Sequence, residues 1–238
     1  MVNVILEIAK KEIKTFFRQS RAFVTVVLLL IFGYISVYEI QNVLQHSGYT
    51  SSALSAALGT FLFLVAVYPA SITSGISFMA FAVERDQKTL EYLLSLPPSD
   101  NEIFLGKFLA AVIAGLSCLA LAFSLVIGYT VFANAIVWNG PLFNGSLSLL
   151  AFVVAPMLVV TFALIASILS RYLSSRDSFV TNLVSMAVLL GIFALKETIT
   201  LDAFTFNLLI GVVLAVAIVG MGIFGAKNFN REKLVARL

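Results

Sequence analysis

Residues 108–170 read FLAAVIAGLSCLALAFSLVIGYTVFANAIVWNGPLFNGSLSLLAFVVAPMLVVTFALIASILS, 63 positions without an Asp, Glu, Lys or Arg. A helix rises about 1.5 Å per residue, so about 20 apolar residues cross a hydrocarbon core of roughly 30 Å. The stretch is too long for one crossing and carries its own break. Asn134 is followed by Trp138-Asn139-Gly140-Pro141-Leu142-Phe143-Asn144-Gly145-Ser146, the strongest turn chemistry in the chain. Two membrane helices with a polar turn between them follow, and the fold class with them: an all-α membrane protein.

Working outward, the rest of the chain repeats the pattern. Uncharged runs cover 22–38, 40–83, 178–195 and 203–226. The run 40–83 is again too long for one span. Its polar cluster, Gln41-Asn42 and then Gln45 to Ser52, divides it. Six spans result, at about 22–40, 53–83, 106–133, 147–170, 178–195 and 205–226, in a single permeating domain of 1–238. The composition agrees: 61% of the 238 residues are hydrophobic and 11% charged, against about 45–50% and about 25% in soluble domains. Such a chain cannot cover a water-facing surface. A soluble enzyme, a nucleic-acid-binding module and a disulfide scaffold are excluded, the last because Cys118 is the single cysteine.

The basic residues are sorted by side. The N-terminal segment (Lys10, Lys11, Lys14, Arg18, Arg21), the loop between spans 2 and 3 (Arg85, Lys88, Lys107), the loop between spans 4 and 5 (Arg171, Arg176) and the C-terminal tail (Lys227, Arg231, Lys233, Arg237) hold 14 of the 15 Lys and Arg. The alternate loops hold Lys196 alone. Lys and Arg concentrate in cytoplasmic loops, so both termini are expected inside, which an even number of spans requires. The basic region before span 1 is 21 residues long and no small-residue cleavage site follows Tyr38, so span 1 reads as retained rather than as a signal peptide.

Within the first 21 residues, the segment 2–18 is amphipathic. At about 100° per residue Val2, Ile5, Leu6, Ala9, Ile13, Phe16 and Phe17 share one face, and Asn3, Glu7, Lys10, Lys11, Lys14 and Arg18 the other. An apolar stripe with a lysine-rich back marks a helix lying in the membrane interface. The plainer reading is a cytosolic helix packed on a partner.

The loop 84–104 is the densest in information, with five of the 12 acidic residues within 84–102. Lys88–Leu94 can make two helical turns with Leu90, Leu93 and Leu94 grouped. Pro97-Pro98 ends them, and Ser99-x-x-Glu102 reads as a capping box that starts the next helix. An ordinary solvated loop would explain the charges but not this succession.

The run Glu84-Arg85-Asp86-Gln87-Lys88-Thr89-Leu90-Glu91-Tyr92-Leu93-Leu94-Ser95-Leu96-Pro97, continuing to Glu102-Ile103-Phe104-Leu105-Gly106-Lys107, resembles the loop of type-2 ABC exporter permeases. In that family it runs approximately acidic-basic-x-x-Gly-Thr-Leu-Glu-x-Leu-Leu-x-x-Pro. Lys88 here stands where Gly is frequent. Ser174-Ser175-Arg176 and the ending Ala226 to Leu234 are also similar, so the resemblance spans essentially the whole chain. It implies that the loop contains a coupling helix docking on a separate ATP-binding-cassette ATPase subunit. Glu84, Arg85, Asp86, Lys88, Thr89, Leu90, Glu91, Leu93 and Leu94 would form the contact, with the leucines as anchors and the charges setting register. It further implies a second permease chain, identical or paired, a location in the plasma membrane of a prokaryotic cell, and a path between the copies lined by spans 2 and 5. Tyr68, Ser71, Asn182 and Ser185 are the candidates for that lining. The competing reading makes such hydroxyls and amides interhelical glue.

Catalytic residues are not expected on this chain. Gly106-Lys107-Phe108 lacks the upstream glycine and the hydroxyl of a phosphate-binding loop, so ATP and Mg belong to the partner subunit. No metal motif is present, and nucleic acid is not an expected partner. Asp, Glu, Lys and Arg are expected to be absent from the hydrocarbon regions, which disfavours a proton-coupled carrier. The expected function is export of an amphipathic or hydrophobic substrate. The alternative is a non-transporting scaffold or sensor that recruits an ATPase. Pro69 is expected to kink span 2.

Overall fold

A computed structural model describes residues 2–18, 20–47, 51–86, 99–134, 145–170, 172–173 and 202–228, together with 180, 183–185, 187–188, 191–192 and 194–195. Among the described residues the chain is helical almost throughout and no strand occurs. The helices are α1 (Val2–Arg18), α2 (Ser20–Ser47), α3 (Ser51–Asp86), α4 (Asp100–Asn134), α5 (Gly145–Leu149), α6 (Ala155–Leu169) and α7 (Ala203–Asn228). A single wide turn, the π-helical Leu150–Val154, joins α5 to α6. Its physical reason is Pro156, which has no N–H to donate and whose ring crowds the carbonyl four residues back. The Ala155 N–H instead reaches the Leu150 carbonyl five residues back, relieving that crowding.

Four stretches are long and apolar enough to cross a membrane: Leu58–Val83, Glu102–Gly128, Gly145–Leu169 and Ala203–Phe224. They overlap the ranges expected for spans 2, 3, 4 and 6. Expected span 1 lies within α2, and the described residues between 180 and 195 are helical. One boundary needs correction. Gln41, Asn42, Gln45 and His46 do not form a turn; they belong to the last turns of α2, where His46 Nδ1 lies 2.8 Å from the Asn42 carbonyl oxygen. Gln is a good helix former, and a polar helix end clear of the apolar run costs nothing.

α3 is the central element, packed most extensively on α6 and α4 and then on α2. Leu58, Leu62, Ala66 and Ala70 form one row at four-residue spacing, the ridge a helix presents to its neighbours. They are buried with Phe63, with Leu119, Ala122, Phe123 and Val126 of α4, and with Leu158, Val159 and Phe162 of α6. α7 adds Phe206, Ile210 and Leu214 to this cluster. Its opposite face, including Val212, Val213, Val216, Val219 and Ile223, is exposed, as expected of a helix facing lipid. Pro69 does not interrupt α3. Thr73 and Ser71 donate their hydroxyls to the carbonyls of Pro69 (2.7 Å) and Val67 (3.0 Å). Both are bonds back to the carbonyl four residues earlier in the same helix, a pattern common to Ser and Thr within helices.

Candidate functional site

The two roots of the loop 84–104 are the last turn of α3 and the first turns of α4. Glu84, Arg85 and Asp86 occupy the end of α3. The remaining predicted contact residues, Lys88, Thr89, Leu90, Glu91, Leu93 and Leu94, lie outside the described residues, as does the expected coupling helix itself. The far root is well defined. Glu102 Oε2 accepts hydrogen bonds from the Ser99 backbone N–H (2.8 Å) and from Ser99 Oγ (2.9 Å), and the Ser99 carbonyl accepts from the N–H groups of Glu102 and Ile103 (3.0 and 3.1 Å). The capping box read from Ser99 and Glu102 is present in its carboxylate half. The Ser99 hydroxyl spends its proton on the carboxylate instead of accepting from the backbone. This cap fixes where the loop ends and the membrane helix begins.

Two turns further along α4, Lys107 departs from the expectation of charge-free spans. It sits inside the apolar stretch Glu102–Gly128 with 2% of its surface exposed. The ammonium donates to the carbonyl oxygen of Ala80 on α3 at 2.6 Å, lies 3.6 Å from Glu12 Oε1 of α1, and is 5.5 Å from the ring centroid of Phe81. An isolated ammonium there would be prohibitively costly. A carbonyl, a carboxylate and an aromatic face together offset its desolvation. Phe104 continues the aromatic wall, 5.6 Å from Phe81 and 6.2 Å from Phe108 between ring centroids.

Gly106, next to this lysine, admits α1. A Cβ there would lie 2.8 Å from Ile8 Cβ and Cγ2, closer than real Cβ atoms come, and 3.1 Å from the Ile5 carbonyl oxygen, a tight contact. α1 therefore crosses the start of α4 in close contact. Ala9 is buried, Ile5, Ile8 and Glu12 are half-buried, and Lys10, Lys11, Lys14 and Arg18 are exposed. Leu6 is exposed as well, so the packed face is rotated from the predicted stripe toward Ile8 and Glu12. A charged residue on the inward side was invisible to a pattern that sorts by polarity alone.

Deeper in the bundle, α3 buries three hydroxyls, Thr73, Ser74 and Ser77, between the apolar Ala70 and Phe78. Ser74 Oγ is 2.9 Å from Ser185 Oγ, and Ser77 donates to the Ala163 carbonyl of α6 at 2.8 Å. Of the path candidates, Ser185 thus meets α3 and is buried, Ser71 and Tyr68 are half-buried on α3, and Asn182 lies outside the described residues. Among the described residues no group of His, Cys, Asp or Glu is placed to hold a metal ion.

The family model for ABC-2 family transporter proteins matches residues 6–201, from α1 through α3, the loop and α4 to the segment before α7. The chain belongs to the ABC-2 transporter family. It is a multi-pass transmembrane protein of ABC transport. Permeases of this family are membrane transport subunits, generally without a catalytic site of their own, and generally work with a separate ATP-binding subunit. No curated protein matches the chain. Among the features of this ABC-2 permease, the sequence displayed the Gly106-Lys107 pair but not its partners on α1 and α3. A lysine immediately before a long apolar run looks like a solvated flank until the tertiary fold lays a helix across it.

Proposed function

We propose that this chain is the membrane-spanning permease subunit of an ATP-driven exporter, moving an amphipathic or hydrophobic substrate outward with ATP hydrolysed by a separate subunit. The observation that carries the reading is the family match over residues 6–201, which includes the whole α3–loop–α4 unit. The capped start of α4 supports it, because a force applied to the loop can be passed on only if its roots are stiff. Six spans with both termini in the cytoplasm are supported by the four apolar stretches, by α2, by the helical residues between 180 and 195, and by the sorting of 14 of 15 basic residues.

In this reading the segment Lys88–Leu94 is the coupling helix. Leu90, Leu93 and Leu94 enter a groove of the ATPase subunit, and Glu84, Arg85, Asp86, Lys88 and Glu91 set its register. ATP and Mg reside on that subunit. A second permease copy completes the path, with Tyr68, Ser71, Asn182 and Ser185 along it. The Ser74–Ser185 contact is then a closed arrangement that parts when the path opens. A lining of neutral hydroxyls, amides and apolar groups suits a cargo that itself carries apolar surface.

The test is co-expression with an ATP-binding-cassette subunit from the same genome, followed by purification of the complex. Glu84→Lys and Glu91→Lys are each expected to lower permease-stimulated ATPase activity by at least about tenfold, since a like-charge contact costs several kcal/mol, while membrane insertion is unchanged. Full stimulated activity in both variants overturns the assignment of the loop.

A further inference from the structure

Lys107 is a cation with two percent of its surface exposed, and what surrounds it comes from three helices. Ala80 is on α3, six residues before that helix ends at the loop. Glu12 is on α1. Lys107 itself is on α4, eight residues after Ser99 closes the loop. Each contact has a direct physical reason. The Ala80 carbonyl, within the last two turns of α3, has a second lone pair with which to accept from the ammonium. Glu12 supplies the counter-charge, and its side chain is about one-fifth exposed, shielded by the same crossing that buries the lysine. Gly106 removes the side chain that would hold α1 away.

We infer that Lys107 is a positioning residue that fastens α1 to both roots of the loop, so that a displacement of the loop moves α1, α3 and α4 together. This rests on the reading of the loop as the ATPase contact. Its consequence is a route the loop alone does not provide. α1 runs into α2 after one intervening residue, so whatever shifts the loop also pulls on α2 from outside the α3–α4 pair. Lys is suited to the task for two reasons. Its flexible four-carbon stem reaches across a helix crossing, and its three donors serve a carbonyl and a carboxylate at once.

The experiment uses the full chain in native membrane vesicles, with Cys118→Ala and Ala9→Cys as a common background. Ala9 is buried on the inward side of α1, so the maleimide labelling rate of a cysteine there reports α1 lifting away. Lys107→Met keeps the length of the side chain and removes charge and donors. Labelling is expected to rise about tenfold in Lys107→Met, the scale of losing a charge-assisted hydrogen bond, less in Glu12→Gln, and little in Lys107→Arg, which keeps charge and donors. In the complex with the co-purified ATPase subunit, Lys107→Met is expected to keep association but lose stimulated hydrolysis by about tenfold, with Lys107→Arg restoring most of it. Unchanged labelling in Lys107→Met overturns the fastening. Raised labelling with undiminished stimulation overturns the transmission role and leaves a purely structural tie. Failure of the wild-type complex to form strikes the reading of the chain as an exporter subunit, and the labelling then decides the fastening by itself.

Discussion

Gly115 marks the tightest approach among α3, α4 and α6. A Cβ at this position would overlap Thr73 Oγ1 and come within 2.8 Å of Val159 Cγ1. Thr73 cannot swing aside freely, because its hydroxyl is bonded to the Pro69 carbonyl at 2.7 Å. Gly115→Ala is therefore expected to destabilise the protein by about 1–3 kcal/mol, as overpacking does, read as a lower unfolding midpoint in detergent. Adding Thr73→Ala is expected to recover part of the loss; strict additivity of the two changes would refute the steric account. Ser185→Ala is expected to cost much less, about 0.6 kcal/mol, the average for an interhelical hydrogen bond within a membrane protein. Ala111-x-x-x-Gly115 is legible in the sequence as a small-residue packing motif. That Thr73 and Val159 are what it packs against depends on how three distant segments cross.

Several element ends lie near the expected bounds, whereas α2 runs past its expected end to Ser47. α1 occupies 2–18 as its periodicity predicts, α4 ends at Asn134, and α5 begins at Gly145 on either side of the predicted turn. Local chemistry explains this success: caps, prolines and glycines act over three or four residues. Asp202 forms a cap that the sequence pattern does not single out, its Oδ2 accepting from the Thr205 N–H at 3.1 Å at the start of α7. Hydrogen bonding by Thr205 holds the Asp202 carboxyl below its ordinary 3.8. A group depressed in the folded state stabilises it above the ordinary value, and that contribution is lost as the pH falls through the folded value. The unfolding midpoint of wild-type protein relative to Asp202→Ala is thus expected to be higher near neutrality, with the gap closing below about pH 3.8. A gap that persists into strong acid would assign the cap to something other than the carboxylate. The polar face of α1 is exposed at Glu7, Lys10, Lys11, Lys14 and Arg18, and Glu12, which the periodicity assigns to neither face, is drawn inward by Lys107.

At the scale of the whole molecule, the arrangement is a central α3 with α4 and α6 against it, α7 outside, and α1 laid across the base of α4. α7 is the most peripheral apolar stretch, with 28% of its window buried against 61% for Gly145–Leu169, and so has the largest share of its surface for lipid or a second copy. The proposed six-span topology makes a direct prediction. In the Cys118→Ala background, cysteines placed at residues 95 and 233 are expected to react with an impermeant thiol reagent only from the cytoplasmic side, and one at residue 140 only from outside. Labelling of residue 233 from outside would require an odd number of crossings and discard the arrangement.

Composition and charge sorting alone determined that this protein lives in a membrane, because no rearrangement of 27 charges can solvate a chain that is 61% hydrophobic. The loop motif determined its family, since a charged, capped segment between two apolar runs is written in consecutive residues. Tertiary structure alone decided what the charges and hydroxyls touch. Lys107 became a buried tie between three helices, and Ser74 and Ser77 found partners at Ser185 and Ala163. Such pairings join residues from 27 to 111 positions apart, and their energies depend on a low-dielectric surrounding that exists only after the helices have packed.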